Sequence, residues 1–164
     1  MKTLLLIRHT KSNWANTTLS DIERPLKPSR KEDGKKMVKF ISEKNILPEI
    51  IVSSPAKRTL DTAKIFCKKF NINENEIKIE PKLYESNKET ILKVIQCIDN
   101  TNSVLAIFGH NPSITDVANI FISTKIENIP TTGVVCITFK TNDWKDIKIA
   151  NALLVFFAYP KLFA

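Results

Sequence analysis

Between Lys2 and Ile122 the chain alternates four times between a short apolar run and a longer segment with helical spacing. Lys2 to Ile7, Glu49 to Ser53, Ile77 to Glu80 and Ser103 to Phe108 read as strands. Lys31 to Lys44, Ala56 to Phe70, Asn87 to Asp99 and Pro112 to Ile122 read as helices, the third with a broad apolar face of Ile91, Leu92, Val94, Ile95 and Ile98. Strands joined through helices run parallel, and continuous apolar strands need cover on both faces. The pattern therefore predicts an α/β fold of three layers, α/β/α, around a mainly parallel sheet. The C-terminal part departs from it. Gly133 to Phe139 and Ile147 to Phe157 are separated only by "KTNDWKD", too short for a helical crossover, so an antiparallel edge is expected there.

At 164 residues and 43% hydrophobic, the chain is long enough for one sizeable core, and a single domain over residues 1–164 is expected. The longest apolar run, Ala152 to Ala158, is far short of the roughly 20 residues of a membrane span. No basic segment leads into a long apolar stretch at the N-terminus, so a cytoplasmic protein without a membrane partner is expected. Cys67, Cys97 and Cys136 are odd in number, lack CxxC spacing and sit among apolar neighbours, which reads as buried free thiols. The formal charge of +8 invites a nucleic-acid reading, but the lysines are spread along helices and mixed with acids. No zinc-finger spacing, aromatic RNA-binding motif or heptad array accompanies them, so no nucleic-acid partner is expected; a monomer is the working expectation. The polar stretch Thr10 to Arg30 has no clear period, and its Trp14 is expected to pack.

Ligands of parallel α/β sheets bind beyond the carboxyl ends of the strands. His9, Arg58, Glu85 and His110 follow the four expected strands in turn, and His9 and His110 are the only histidines. "SSPAKRTLDTA" places Ser54 as a helix cap with Pro55 at the first helical position, and "GHNPSITDVA" repeats the device with Asn111 and Pro112. The first of these helices opens with Lys57 and Arg58, where the helix dipole disfavours cations. An anion held there offsets that cost; the competing reading pairs Arg58 with Asp61 on the helix surface. Two distant histidines without acid or cysteine partners at ligand spacing do not read as a metal site, so no cofactor is expected. There is also no GxSxG elbow. A histidine attacking an anion held by Arg8 and Arg58 remains, since imidazole is nucleophilic when neutral and nearby arginines favour that form.

These residues carry a resemblance. "LLLIRHTKSNW", "SSPAKRTLDTA", "LYES" and "GHNP", in that order, resemble the motifs of the histidine phosphatase superfamily, the phosphoglycerate mutase-like proteins. "SDIERPLKPSRKEDGKKM" is similar to the Asp-x-x-Arg-Pro-Leu segment of its short SixA-type phosphohistidine phosphatases. "IPTTGVVCITF", Trp144 and "YPKLF" resemble their C-terminal pattern, so the likeness covers essentially the whole chain. Thr10 stands where the superfamily often has glycine, and Ser29 and Arg30 where the SixA type has another.

The resemblance implies a phosphoglycerate mutase-like fold and a phosphatase in which His9 becomes phosphorylated. It implies that Arg8, Arg58 and His110 hold the phosphoryl group, that Glu85 lies at the proton-donor position, and that Asp21 and Arg24 match the short subgroup's motif, as a loop salt bridge or as substrate contacts. Three functions stay open: a phosphatase of phosphohistidine in a partner protein, a phosphatase of small phosphate esters, and a noncatalytic phosphate-binding module. A mutase is disfavoured, because the 24 residues between Glu85 and His110 are used by one helix and one strand, with no room for a cap.

Overall fold

The first apolar strand sends alternate side chains to opposite faces, and both faces are filled. In the computed structural model, which describes residues 1–163, this strand is β1 (Lys2–Arg8). Leu4 and Leu6 enter one hydrophobic cluster, Leu5 and Ile7 another, and all four are fully buried. The first cluster is closed by α3 (Lys88–Gln96) and α4 (Ser113–Phe121), through Ile91, Ile95, Ile114 and Val117. The second is closed by α1 (Lys31–Glu43) and α2 (Lys57–Phe70), through Met37, Ile41, Ala63 and Phe66. Neighbouring strands β2 (Ile50–Ser53), β4 (Val104–Gly109) and β5 (Val134–Phe139) divide in the same way: Val52, Ile107 and Val135 face one side, Ile51, Phe108 and Val134 the other. The expected three layers form.

With β3 (Lys78–Ile79) and β6 (Ala152–Ala158), the sheet order is β3-β2-β4-β1-β5-β6. The first four strands of that order are parallel, while β5 runs antiparallel to both β1 and β6. The expected antiparallel edge is therefore present. With β5 reversed, the C-terminal ends of β1, β2, β4 and β6 and the N-terminal end of β5 share one rim of the sheet.

Trp144 closes the opposite rim. Its indole is fully buried, its Nε1–H donates to the Asn102 carbonyl at 2.9 Å, and its backbone N–H donates to Asn100 Oδ1 at 2.9 Å. The Lys2 ammonium, also buried, donates to the Asn100 and Asn102 carbonyls at 2.6 and 2.9 Å and lies 5.4 Å from the indole centroid. Two carbonyls and an aromatic face compensate a charge that is otherwise costly to bury.

Four local expectations are corrected. Ser54 does not cap α2, which begins at Lys57 with Ala56 before it; the Ser54 N–H still bonds the Phe108 carbonyl at 3.1 Å, so the backbone remains strand-like there. Nor does Asn111 cap α4, which begins at Ser113. Its amide instead donates to Asn128 Oδ1 and the Ile129 carbonyl and accepts from the Thr115 hydroxyl, tying α4 to the following loop. Cys67 and Cys136 are buried free thiols, but Cys97, at the end of α3, is exposed. Trp14 is 65% exposed and stacks with the Arg24 guanidinium, 3.4 Å from its ring centroid, because its loop lies on the surface rather than over the core.

Replacing Trp144 with alanine removes a fully buried ring together with its hydrogen bond and the cover over Lys2. We expect a loss of about 3–5 kcal/mol in unfolding free energy, read from urea denaturation.

Candidate active site

Where β1 ends, the backbone is clamped from both sides. The Arg8 N–H donates to the Gly133 carbonyl at 3.1 Å and the His9 N–H to the Gly109 carbonyl at 3.2 Å. Thr132 N–H lies 3.1 Å from both the Arg8 and His9 carbonyls. To reach them Thr132 adopts φ 62°, a left-handed conformation that is unfavourable for a β-branched residue. The Thr132 hydroxyl donates to Thr10 Oγ1 at 3.0 Å, and the Thr10 N–H donates to Thr62 Oγ1 at 2.9 Å. The Thr62 hydroxyl in turn donates to the Arg58 carbonyl at 2.7 Å. Three buried threonines thus link the ends of β1 and β5 to the first turn of α2. Gly133 fits this turn because a Cβ there meets the Pro130 carbonyl at 2.7 Å and Ile129 Cγ2 at 2.8 Å.

The clamp presents His9, which is 8% exposed. Its Nδ1 lies 2.7 Å from the Thr10 carbonyl, and a carbonyl only accepts, so Nδ1 carries the proton and Nε2 the lone pair. Burial, together with the charges of Arg58 and Arg8, lowers its pKa to about 4, against the opposing pull of the Thr10 carbonyl. At neutral pH the ring is an unprotonated base with a defined free nitrogen.

His110 follows β4 and its ring centroid lies 5.3 Å from that of His9. A guanidinium only donates, so the contact of Arg58 with His110 Nδ1 at 3.4 Å fixes the other tautomer; Nε2–H then donates to Ser54 Oγ at 2.7 Å. Burial, then the neighbouring His9 and Arg58, lower the His110 pKa to about 3. Arg58, also 8% exposed, donates to the Asp21 carbonyl at 2.7 Å and to its carboxylate at 3.1 Å. Arg8 donates to the Ile129 carbonyl at 2.9 Å, while its buried Nε–H has no partner among the described residues. Desolvation lowers the Arg8 pKa from its usual value. The result is a cluster of two arginines and two neutral histidines with donors to spare, the chemistry of an oxyanion site.

Asp21 is the balancing charge. Its carboxylate accepts from the Tyr84 hydroxyl at 2.6 Å and pairs with Arg58 and Arg24. The Tyr84 hydrogen bond and then the arginines hold its carboxyl below the usual range, while the Tyr84 phenol is pushed up to about 12, chiefly by the Asp21 hydrogen bond. Asp61 pairs instead with Lys57 at 3.4 Å and accepts from the Leu26 N–H, so Arg58 is free of it. Glu85 is exposed, at φ 50°, and makes no hydrogen bond or ion pair among the described residues. The structure thus brings together Arg8, His9, Arg58 and His110 with Asp21 and Arg24 beside them, and leaves Glu85 at the margin. Sequence reading missed Ser54 as the partner of His110, the three threonines, and Tyr84, whose ring packs edge-on 5.7 Å from His110. Ser54 stood in a signal read as a cap; Thr10 was marked only as a departure from the superfamily's usual glycine, and nothing marked Thr62 or Thr132.

A six-stranded mainly parallel sheet with two histidines and two arginines at its carboxyl rim defines a phosphoglycerate mutase-like fold with an oxyanion site. The profile of the histidine phosphatase superfamily (branch 1) matches residues 4–94, more than half of the chain, and the chain belongs to that superfamily. An uncharacterized chloroplastic protein of Arabidopsis thaliana is 39% identical over 61 residues, a match spanning 37% of this chain and 28% of that relative. Among solved structures, the protein histidine phosphatase SixA complexed with tungstate superposes with TM-score 0.82 at 14% identity over 99% of both chains. A candidate phosphohistidine phosphatase SixA from Agrobacterium tumefaciens gives 0.79 at 22% identity over 97% of this chain and 98% of that one. A phosphoserine phosphatase variant from Entamoeba histolytica in complex with phosphoserine gives 0.66 at 16% identity over all of both chains. At these identities the likeness is one of fold.

Both histidines resist protonation in the folded state, whereas in the unfolded chain they titrate near 6.5. Between about pH 6.5 and about 4 the unfolded chain takes up protons that folded His9 refuses, and His110 extends the window toward about 3, so these groups lower stability as pH falls and have no further effect above it. Urea midpoints from about pH 7 to about 4 should drop more for the native protein than for a His9→Gln/His110→Gln variant. Equal slopes would show that burial of neutral imidazoles is not the source.

Proposed function

We propose that this chain is a phosphatase in which residues 1–164 act as one domain, His9 is the nucleophile, and the substrate is phosphohistidine in a partner protein. The observation that carries the reading is the His9 tautomer: its Nδ1–H is held by the Thr10 carbonyl, and the lone pair on Nε2 is kept free beside Arg8, Arg58 and His110. Nε2 attacks phosphorus in line, the bond to the leaving group breaks with its electron pair, and the phosphoryl group is left on His9. Water then hydrolyses this intermediate, returning the lone pair to Nε2. Arg8 and Arg58 neutralise the equatorial oxygens, so the charge stabilisation needs no metal. A bound phosphoryl dianion counters the burial and the neighbouring charges that lower the His110 pKa, letting Nδ1 take a proton from solvent and donate to an oxygen while Nε2–H stays on Ser54.

Substrate class follows from the leaving group and the shape of the chain. Phosphohistidine departs as neutral imidazole when its far nitrogen carries a proton, so it asks little of an enzyme acid, whereas an ester oxygen needs one. The exposed position of Glu85 fits the first case better than the second. Only α3 and β4 fill the interval before His110, which leaves the site open to a side chain on another protein. The higher fold similarity to the two SixA structures supports the same choice. Hydrolysis of small phosphate esters is the second reading, favoured by the phosphoserine-bound neighbour of equal extent. Asp21 and Arg24 serve this site by holding the loop over Arg58 and Tyr84, within reach of a substrate.

His9→Ala should abolish turnover and leave the fold intact, and labelled substrate should trap an acid-labile, base-stable phosphoenzyme on the native protein only. Arg58→Ala should cost about a hundredfold in rate, with chelators without effect. Label that survives acid or persists without His9 refutes the nucleophile; no turnover of any phosphate compound leaves the binding module standing.

Glu85→Gln should reduce kcat/KM for aryl and alkyl phosphates far more than for a phosphohistidine peptide, compared at one pH near 7 below saturation. Native turnover of small esters far exceeding that of phosphohistidine protein would move the assignment to the second reading.

A further inference from the structure

On the rim that carries His9, a groove of about 640 Å³ opens between the start of α1, the turn before β5 and the chain after β6. Its cations are Lys11, Arg30, Lys36 and Lys161, and its one carboxylate, Asp33, lies 3.8 Å from Arg30. Among the described residues Lys11, Lys36 and Lys161 have no carboxylate within ion-pair distance, whereas Lys35, Lys39, Lys57 and Lys148 each have one. Unpaired positive charge is thus gathered in a concavity, where low-dielectric walls focus its field instead of letting solvent disperse it.

The groove is joined to the oxyanion site through neighbouring residues of the chain. Lys11 lies two residues beyond His9. Thr131 precedes Thr132, whose N–H holds the Arg8 and His9 carbonyls, and Pro130 follows Ile129, whose carbonyl takes Arg8. Between the cations the wall is formed by Pro130, Pro160 and the half-buried Tyr159, rings that pack against side-chain stems and peptide planes. A groove of cations separated by rings suits a polypeptide with carboxylates at intervals better than a lone small anion.

We infer that this groove docks an acidic polypeptide segment flanking the phosphorylated residue of the protein substrate. The inference rests on the phosphoprotein reading of the site and adds to it a sequence preference: Asp and Glu beside the phosphohistidine, carried past the pocket mouth onto Lys11, Arg30, Lys36 and Lys161. Long-range attraction of this kind acts mainly on encounter and is weakened by salt.

The test compares phosphohistidine peptides with glutamate-rich and with serine-rich flanks, alongside phenyl phosphate, using the native chain and a Lys36→Glu/Lys161→Glu variant. The native protein should prefer the acidic flank by about tenfold in kcat/KM at low salt, and the preference should disappear in the variant and at high salt, with phenyl phosphate unaffected. Equal rates on the two flanks, or a preference that survives the charge reversal, overturns the inference while leaving the phosphatase reading intact. Fluorescence anisotropy with an unphosphorylated glutamate-rich peptide reads the groove without catalysis: binding lost in the variant supports docking even if no substrate turns over. Tighter binding of a single-stranded RNA than of the peptide assigns the groove to nucleic acid and overturns the inference.

Discussion

The hydrogen bond from His9 Nδ1 to the Thr10 carbonyl decides which ring nitrogen is free, and much of the surrounding structure serves to hold it. A carbonyl one residue away faces its own imidazole only if the backbone after β1 turns in a fixed way. That turn is fixed by Thr132 and Gly133, just before β5, and by Gly109 at the end of β4. The left-handed Thr132 is strained by about 1–3 kcal/mol. The strain is offset by an N–H shared between two carbonyls and by a hydroxyl bonded to Thr10. The turn that leads into β5 therefore braces the residue that β1 presents.

Around that ring the folded chain sustains an electrostatic imbalance. Two histidines with pKa values of about 4 and about 3 lie beside two arginines, one of them with a buried N–H left unpartnered among the described residues. Asp21 partly balances the cluster: its Oδ2 accepts from both Arg58 and the Tyr84 hydroxyl, while its Oδ1 pairs with Arg24. Burial of apolar clusters on both sheet faces supplies stabilisation that offsets the cost of this arrangement. An oxyanion bound in the proposed site would relieve the same imbalance, so the cost in the free protein would be recovered on binding.

Most of the frame was legible in the sequence. The helix and strand alternation placed all four parallel strands, and "KTNDWKD" announced the antiparallel turn because its length excludes a crossover. The errors cluster at element ends and on the surface. Ser54 and Asn111 have the chemistry of helix caps, yet both side chains are committed to tertiary partners, Ser54 to His110 and Asn111 to Asn128, Ile129 and Thr115. Trp14 and Cys97 have apolar character but lie where no element covers them.

By itself the sequence determined the layer order, the placing of His9 and His110 just beyond strand ends and of Arg58 at the start of the helix after β2, and the superfamily, because periodicity and local motifs are properties of neighbouring residues. Only the tertiary structure decided the state of those residues. Which nitrogen of each histidine bears the proton depends on a carbonyl, a serine and a guanidinium, two of them far away in the chain. The choice of Asp21 over Asp61 as the partner of Arg58 likewise depends on how a polar loop without periodicity folds back, and the exposure of Glu85 shows in no local pattern. Hydrogen-bond geometry and burial arise between segments distant in sequence, so no local pattern encodes them.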